Sequence, residues 1–594
     1  MDENLISITD LARLLGISRQ AVLKQLKSKI IVGDVEARTE GKKYLINYNT
    51  LPQDIKDRVD QERKDAPKEA QELVTQHKTD LNFENKLWAA ADRLRGNIDS
   101  SEYKNVVLGI IFLKYISDSF YHQREKLKKL MNDSKNSKYY IPNKNTQNKV
   151  LEDKDMYKKE GIFYIPENAR WDFLRAKASL LDLPKYIDDA MDSIEIENPE
   201  QLTGVLPKNY VRVQLESHIL GELINIFSGI NFDHDAEQEK DMLGRVYEYF
   251  LGQFASAEGK RGGEFFTPRS LVKLLVEVLE PFENSRVLDP AAGSGGMFVQ
   301  SSEFLKEHHK DPTKISIFGQ ESNQTTFKLC KMNLAIRGVF GNIQIGNSYY
   351  DDKFSGIKTD FVLANPPFNA EWDPDRLSEK DPRLVYGTPP RGSANFMWIQ
   401  HFIHHLTPNG MAGFVMANGA LAVSGKEGEI RKKIIEDDLI DVIIACPAKL
   451  FFNVSLPVSL WFVTKNKESG RFRNRKGETL FIDSREIFTQ ISRKQVEFTS
   501  DQIQKIADNV RAWRGEGGNY KDIAGFCKTV TKEEIAKNGY VLTPGRYVGV
   551  EDEIDDGVPF AEKMQKLEIA LKQYFSEGEK LEKEILENLR KMKI

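Results

Sequence analysis

The chain has 594 residues, of which 40% are hydrophobic and 29% charged, and a formal net charge of −4. That length implies about three or four domains, and the near-balanced charge excludes a chain that coats nucleic acid along its whole surface while leaving room for a local basic groove. No run approaches the ~20 apolar residues that span a bilayer, the start MDENLISITD lacks the layout of a secretory signal, and Cys330, Cys446 and Cys527 include no CxxC; a reducing cytoplasm is expected, with no disulfide framework, no zinc ribbon and no membrane association.

Residues 1–60 read as one unit. SITDLARLLGISRQAVLKQLKSK gives a capped helix, a turn at Gly16 and a second helix opened by Ser18, the layout of a helix-turn-helix. IIVGDVEARTEGKKYLINYNTLP follows as two short strands around EGKK, in the manner of a wing. Between Leu11 and Ile31 every charged residue is basic, with Arg19, Lys24 and Lys27 the candidate DNA contacts. Residues 61–80 are charged and polar and read as a linker. From 81 to 238 apolar residues recur at helical spacing, which predicts an all-α domain. From 239 to 485 short apolar strands alternate with helices, the signature of a parallel α/β sheet. The strand candidates are RVLD, ISIFGQE, DFVLANPP, MAGFVMAN, DVIIACP and VSLWFVT. A carboxy-terminal extension spans 486–555, and 556–594 carries a heptad seam. Its members are Phe560, Met564, Leu567, Leu571, Tyr574, Gly578, Leu581 and Ile585, which predicts a helix that docks on a partner subunit.

Within the α/β region, SRVLDPAAGSGGMF places Asp289 at a strand end, then Gly293, Gly295 and Gly296, then a helix. Glycines permit a tight turn and close approach to a ligand, and a helix start supplies free N–H donors. The G-x-G-x-x-G spacing is not met, and no P-loop is present. The next strand ends at Glu321, on the sheet edge that faces a ligand crevice. A carboxylate there can accept from both ribose hydroxyls of a nucleoside.

The strand DFVLANPPF ends on the same edge. Prolines cannot donate to a sheet ladder, so the strand stops at Asn365. The side-chain oxygen of Asn365 and the carbonyl of Pro366 form a rigid pair of acceptors, suited to an exocyclic –NH2 group. Pro367 stiffens the corner, and Phe368 can stack on the ring that carries the amine. Such a site needs alignment above all if the methyl donor is an already activated sulfonium.

VLDPAAGSGG followed by NPPF, with GGEFFTPRSLVKLLVEVL before both, resembles the amino-methyltransferases that use S-adenosylmethionine. The motif order is similar to that of the gamma adenine-N6 methyltransferases. With the helical domain before it and GYVLTPGRYVGVED after it, the pattern resembles the modification (M) subunit of type I restriction–modification systems. The resemblance implies a Rossmann-like methyltransferase domain preceded by an all-α domain and a winged helix-turn-helix, with a helical tail. It implies catalysis by Asn365, Pro366, Pro367 and Phe368 on an adenine flipped out of double-stranded DNA. It implies that Glu264, Phe265, Phe266, Thr267, Pro268 and Arg269 close over the methionine end of the cofactor. Asp289, Ser294, Gly295 and Gly296 match the cofactor loop, and Glu321 the ribose-binding acid. GNSYYDD, from Gly346 to Asp352, loosely matches the segment near the cofactor's adenine, with Asn347 where an acid is usual.

The loop NAEWDPDRLSEKDPRLVYGTPPRGSANF after Phe368 is long and polar. Such loops are often functional, and ordering over DNA is expected, with Arg383 and Arg391 on phosphates. His401, His404 and His405 lack the H-E-x-x-H glutamate, so they are expected to pack or face solvent, with no metal site. No target-recognition domain is evident, so base reading is expected from a separate specificity subunit. The resemblance implies two M subunits per specificity subunit and a restriction subunit in the full complex. Two alternatives stay open: a stand-alone or phage-defence adenine methyltransferase, and a DNA-binding regulator that keeps the domain as a cofactor sensor.

Overall fold

The computed structural model describes residues 99–229, 236–258, 266–550 and 560–591, apart from 136–137, 214, 379, 452–455 and 494. It also describes Glu84, residues 87–96 and three short strands near the amino terminus. The chain divides into two compact units, Met1–Gly96 and Asn97–Ile594.

In the first unit, β1 (Leu5–Ser7), β2 (Val35–Arg38) and β3 (Lys43–Asn47) form an antiparallel sheet in the order β1-β3-β2. β2 pairs antiparallel with β3, with Arg38 opposite Lys43. The two helices of the helix-turn-helix reading lie outside the described residues, as do Arg19, Lys24, Lys27 and the linker 61–80.

The second unit opens with the 33-residue helix Ser100–Asn132. From Val106 to Ser117 every residue of it is buried, as expected for the central helix of a bundle that is surrounded on all sides. Gly109 makes room for the Tyr210 hydroxyl, which donates to the Val106 carbonyl at 2.9 Å. Helix Ala236–Glu258 packs along Ser100–Asn132, and both also touch helix Gln324–Ile336 of the α/β layer.

The α/β layer is a nine-stranded sheet. In chain order its strands are β4 (Arg286–Asp289), β5 (Ser316–Glu321), β6 (Gly341–Ile345), β7 (Thr359–Ala364) and β8 (Leu406–Ala417). They are followed by β9 (Ile440–Ala445), β10 (Val458–Thr464) and β11 (Glu478–Asp483). A two-stranded ribbon, β12 (Thr489–Gln490) and β13 (Val496–Glu497), stands apart, and β14 (Cys527–Thr531) returns to the main sheet. The spatial order is β14-β11-β9-β10-β8-β7-β4-β5-β6. From β8 through β7, β4 and β5 to β6 all pairs are parallel. β10 runs antiparallel to both its neighbours, and β14 is antiparallel to β11. The chain passes from β4 to β5 on one side and later to β7 on the other, so its direction of winding reverses at β4. In open α/β sheets the ligand crevice forms at such a reversal, beyond the carboxyl ends of the strands.

The sheet does not stop at residue 485. β14 extends it, and helix Ser500–Arg514 covers one face against helix Arg269–Leu279. The expected extension at 486–555 is therefore built into the α/β layer. Asp441 on β9, fully buried, locks this arrangement by accepting from Arg475 Nε and Arg514 Nη2 at 3.0 Å each. All three side chains are at most 1% exposed. Burial alone would raise the Asp441 pKa, but the two guanidinium groups hold it below its ordinary value. Asp441→Asn keeps the volume and leaves two buried cations uncompensated. It is expected to cost about 3–5 kcal/mol in chemical denaturation; a loss below about 1 kcal/mol would mean the triad does not hold the extension in place.

Candidate active site

Three neighbouring strands deliver the site. β7, β4 and β5 lie side by side and parallel. Their carboxyl ends bring Asn365, Asp289 and Glu321 to one edge, at the strand spacing of about 4.8 Å. The cleft there has a volume of about 370 Å³, within the range of small-molecule sites.

Its floor is the turn between β4 and helix Gly296–Glu307. Hydrogen bonds brace this turn from several sides. Asp289 Oδ1 accepts from Ala291 N–H at 3.0 Å. The Ala292 N–H donates to the Gln320 carbonyl at 2.9 Å, and Gly293 N–H to Glu321 Oε2 at 3.0 Å. Asn333 Nδ2 holds the Ser294 carbonyl at 2.8 Å, and Ser348 Oγ holds that of Pro290 at 2.6 Å. Two glycines serve different ends. Gly295, at φ 80°, presses on helix Gln324–Ile336, where a Cβ would sit 2.9 Å from Cys330 Sγ. At Gly296 a Cβ would meet nothing within 4 Å, so its backbone faces open cleft and an added methyl would take up ligand space.

Glu321 anchors the second wall. Its Oε1 accepts from Asn323 N–H at 2.8 Å and its Oε2 from Gly293 N–H. The Ser322 hydroxyl adds a third contact, donating to Oε1 at 3.4 Å, so the carboxylate is firmly braced at the cleft edge. Asn347, Ser348 and Tyr349 line the cleft beyond it, with the Tyr349 ring 4.8 Å from that of Trp398.

Asn365 is half-buried at the mouth. Its Nδ2 donates to Thr267 Oγ1 at 2.8 Å, while its buried Oδ1 has no partner. Among the described residues no backbone N–H donates to the Pro366 carbonyl. Two acceptors thus stand open on one proline-stiffened corner. Phe368, half-buried, is not part of the cleft lining; its ring stands perpendicular to that of Phe451 at 6.4 Å.

The cleft gathers Phe266, Thr267, Asp289, Ser294, Gly296, Glu321, Asn365, Pro366 and Pro367 from the sequence candidates. Gly295 faces Cys330 instead, and Arg269 pairs with Glu303 at 3.0 Å, away from the cleft lining. Pro268 sits at the start of helix Arg269–Leu279 and also stays off the lining. Glu264 and Phe265 lie outside the described residues. Lys104, Glu248, Leu251 and Ala255 of the helical layer, and Trp398, also line the cleft without a sequence signal.

The loop after Phe368 is packed without DNA. Trp372 is buried and donates from Nε1 to the Pro390 carbonyl at 2.9 Å. Arg383 is only 7% exposed. Its guanidinium is committed to Asp381 and to the carbonyls of Ser348 and Tyr349, each at 2.7 Å. It therefore braces the cleft wall and offers no free charge to a phosphate. Arg391 stays exposed but pairs with Asp373 and Asp375. His401 and His405 are buried beside Arg383, and their ring nitrogens and an Asp352 oxygen lie within 4.8 Å of one another. His405 sets Nδ1 on the Ile357 carbonyl at 2.9 Å and Nε2 on Asp352 at 3.0 Å. Burial would raise the Asp352 pKa, yet the His405 bond holds it well below the carboxylate range. Burial, with His405 nearby, pushes the His401 pKa far down. The cluster is held by its own hydrogen bonds and by Arg383, whose Nη1 lies 3.3 Å from His401 Nδ1.

Two family models match the chain. The N-6 DNA Methylase model covers residues 238–556 and the HsdM N-terminal domain model covers 83–227. The chain is 46% identical over 531 residues to the type I restriction enzyme MjaIX methylase subunit of Methanocaldococcus jannaschii, spanning 88% of this chain and 94% of that one. It is 46% identical over 449 residues to the HindI methylase subunit of Haemophilus influenzae, spanning 72% and 99%. The solved type I restriction-modification methyltransferase subunit of Streptococcus thermophilus superposes with a TM-score of 0.66 at 25% identity, over 79% of this chain and all of that one.

Asp289 gives the site a pH signature. Burial pushes its carboxyl up to about 8, with Glu321 adding to the rise and the Ala291 N–H opposing it. The unfolded value is about 3.9. A carboxyl whose folded pKa is raised favours the protonated folded state, so stability drains as pH climbs from about 4 to about 8. Asp289→Asn mimics the neutral form. Its melting temperature is expected to gain on the wild type steadily across that window and to level off above it; a difference independent of pH would contradict this.

Proposed function

The chain belongs to the N-6 DNA methylase family, among the methylase subunits of type I restriction enzymes, and from that premise we propose that Asn365, Pro366, Pro367 and Phe368 carry the methyl transfer. The reaction is methylation of adenine N6 in DNA, by a modification subunit. The unpaired Oδ1 of Asn365 carries this assignment of the site. A buried acceptor without a donor costs about 1–3 kcal/mol, a penalty relieved when an adenine amine arrives. Asn365 Oδ1 and the Pro366 carbonyl accept the two N6 protons. Holding both protons in fixed directions leaves the nitrogen lone pair aimed at the methyl carbon. Phe368 stacks on the purine, and Thr267 keeps the Asn365 amide from rotating its NH2 into the site.

S-adenosylmethionine, when bound, supplies a methyl group already activated on a sulfonium. The residues present fit it. The open backbone of Gly293 and Gly296 makes room, Glu321 presents its carboxylate at the strand end assigned to the ribose, and Asp289, Ser294 and Phe266 sit along the methionine end, with Tyr349 and Trp398 walling the other. Glu264 and Phe265, with Pro268 and Arg269, belong to the segment assigned to closing this site.

The adenine must leave the duplex to reach this edge, at a cost of a few kcal/mol. Target reading falls to a separate specificity subunit, with two methylase chains to each and a restriction subunit joining them. The helix Phe560–Lys591 is its dock: Met564, Leu567, Leu571, Tyr574 and Leu581 along the heptad seam are 49–69% exposed. Among the described residues no helix is long and apolar enough to cross a membrane.

Two measurements check these assignments. Asn365→Ala is expected to lower methylation at least about 100-fold while calorimetric affinity for S-adenosylmethionine stays nearly unchanged. Thr267→Val should cost about tenfold in kcat and Thr267→Ser should restore it. Persistent activity in Asn365→Ala would remove the tetrapeptide from the mechanism. Mapping N6-methyladenine in host DNA, with and without a co-expressed specificity subunit, tests the partnership: methylation at a split two-part sequence is expected only on co-expression.

A further inference from the structure

Directly after Phe368 the chain turns through Asn369, whose φ of 52° lies in the left-handed region. Glycine, asparagine and aspartate enter that region at least cost. The Asn369 N–H donates to Asn395 Oδ1 at 2.9 Å. Asn395 Nδ2 donates back to Asn369 Oδ1 at 2.8 Å. Asn395 is 4% exposed, so water competes poorly for either bond, and losing one partner would leave a buried polar group unpaired.

The pair closes the neck of a loop. Asn369 and Asn395 stand 26 positions apart. Ala394 N–H donates to the Ala370 carbonyl at 2.9 Å, and Trp372 N–H to the Arg391 carbonyl at 3.0 Å. On the far side Asn395 begins helix Asn395–His405, in which every residue from Asn395 to Ile403 is buried. The turn that holds the two open acceptors is thus tied to one of the most enclosed helices of the domain. One turn further along, the same helix presents Trp398 to the cleft.

We propose that Asn395 is a positioning residue for methyl transfer: through Asn369 it fixes the backbone of the Asn365–Phe368 turn, and with it the two acceptors that meet the adenine amine. This rests on the assignment of Asn365 to catalysis. Asn395 is absent from the cleft lining, so its effect reaches the reaction only through the turn. Thr267 holds the Asn365 side chain from one side, and Asn395 holds the backbone from the other. A loop this long would otherwise pass its motions straight into the catalytic corner.

The test uses the full chain in complex with its specificity subunit, with single-turnover methylation and S-adenosylmethionine affinity measured separately. Asn369→Asp keeps both bonds, since the carboxylate accepts and the backbone still donates; its rate is expected within about threefold of wild type. Asn395→Leu keeps the volume and removes both bonds. Its methyl-transfer rate is expected to fall about 10- to 100-fold, because small misplacements of reacting groups cost that much, with cofactor affinity within about threefold. Asn395→Asp keeps one bond, sets a carboxylate against Asn369 Oδ1, and is expected to lose rate in the same way; it carries the test should Asn395→Leu fail to fold. Wild-type rates in the folded Asn395 variants, beside an inactive Asn365→Ala, would overturn the clasp alone. Parallel losses of rate, cofactor affinity and melting temperature would mark a general structural defect and overturn it as well. Full activity in Asn365→Ala would overturn the catalytic assignment and the clasp with it.

Discussion

Everything at this site depends on the position of β4 in the sheet. It pairs in parallel with β5 on one side and β7 on the other. No other placement would set the glycine turn, Glu321 and Asn365 on adjacent strand ends. The chain reaches this arrangement by winding outward from β4 in both directions, and the crevice is the gap left where the two windings part. In the proposed assignment, a nucleoside lying across that gap meets the acid of one strand end and points its activated methyl at the amine held by the acceptors of another. The chemistry is divided among strands, and the sheet supplies the alignment.

Buried polar groups serve both the frame and the site. In the frame, Asp441 faces two guanidinium groups, Arg383 caps two carbonyls, and Asp352 faces His405. These pairings fix one geometry at some expense in desolvation, and Arg514 Nε stays buried without a partner. Along the cleft, Asn365 Oδ1 and Asn333 Oδ1 are buried without partners, and Asp289 is held up near 8. Unpaired acceptors and a strained carboxyl are stable only because the surrounding structure over-determines them. The helical layer takes part too, since Lys104, Glu248, Leu251 and Ala255 form one side of the cleft.

Much of the catalytic layer was legible because its signals are local. RVLD coincides with β4, DFVLA with the body of β7 and VSLWFVT with β10; these are apolar runs bounded by glycine or proline. β6, GNIQI, is mostly exposed at the sheet edge and has no apolar run to reveal it. β11 and β14 were missed because an expected boundary at 485 cut between them, although they pair with each other. Arg383 read as a free cation because sequence shows charge and not burial. Least legible were roles that act at a distance: Thr267 was a cofactor candidate, but its bond to Asn365, 98 positions away, had no sequence signal, and neither had Asn395, which follows its turn by 26. Their roles exist only once the fold brings the partners together.

The central claim is that the Asn365–Pro366 corner receives the adenine amine. The most direct measurement is a structure of the chain, with its specificity subunit, on target DNA and a non-reactive analogue of the methyl donor. The account predicts the flipped adenine N6 within hydrogen-bond distance, about 2.7–3.2 Å, of both Asn365 Oδ1 and the Pro366 carbonyl, with Phe368 against the ring. An adenine bound with N6 directed at any other group, and Asn365 Oδ1 still unpaired, would contradict it.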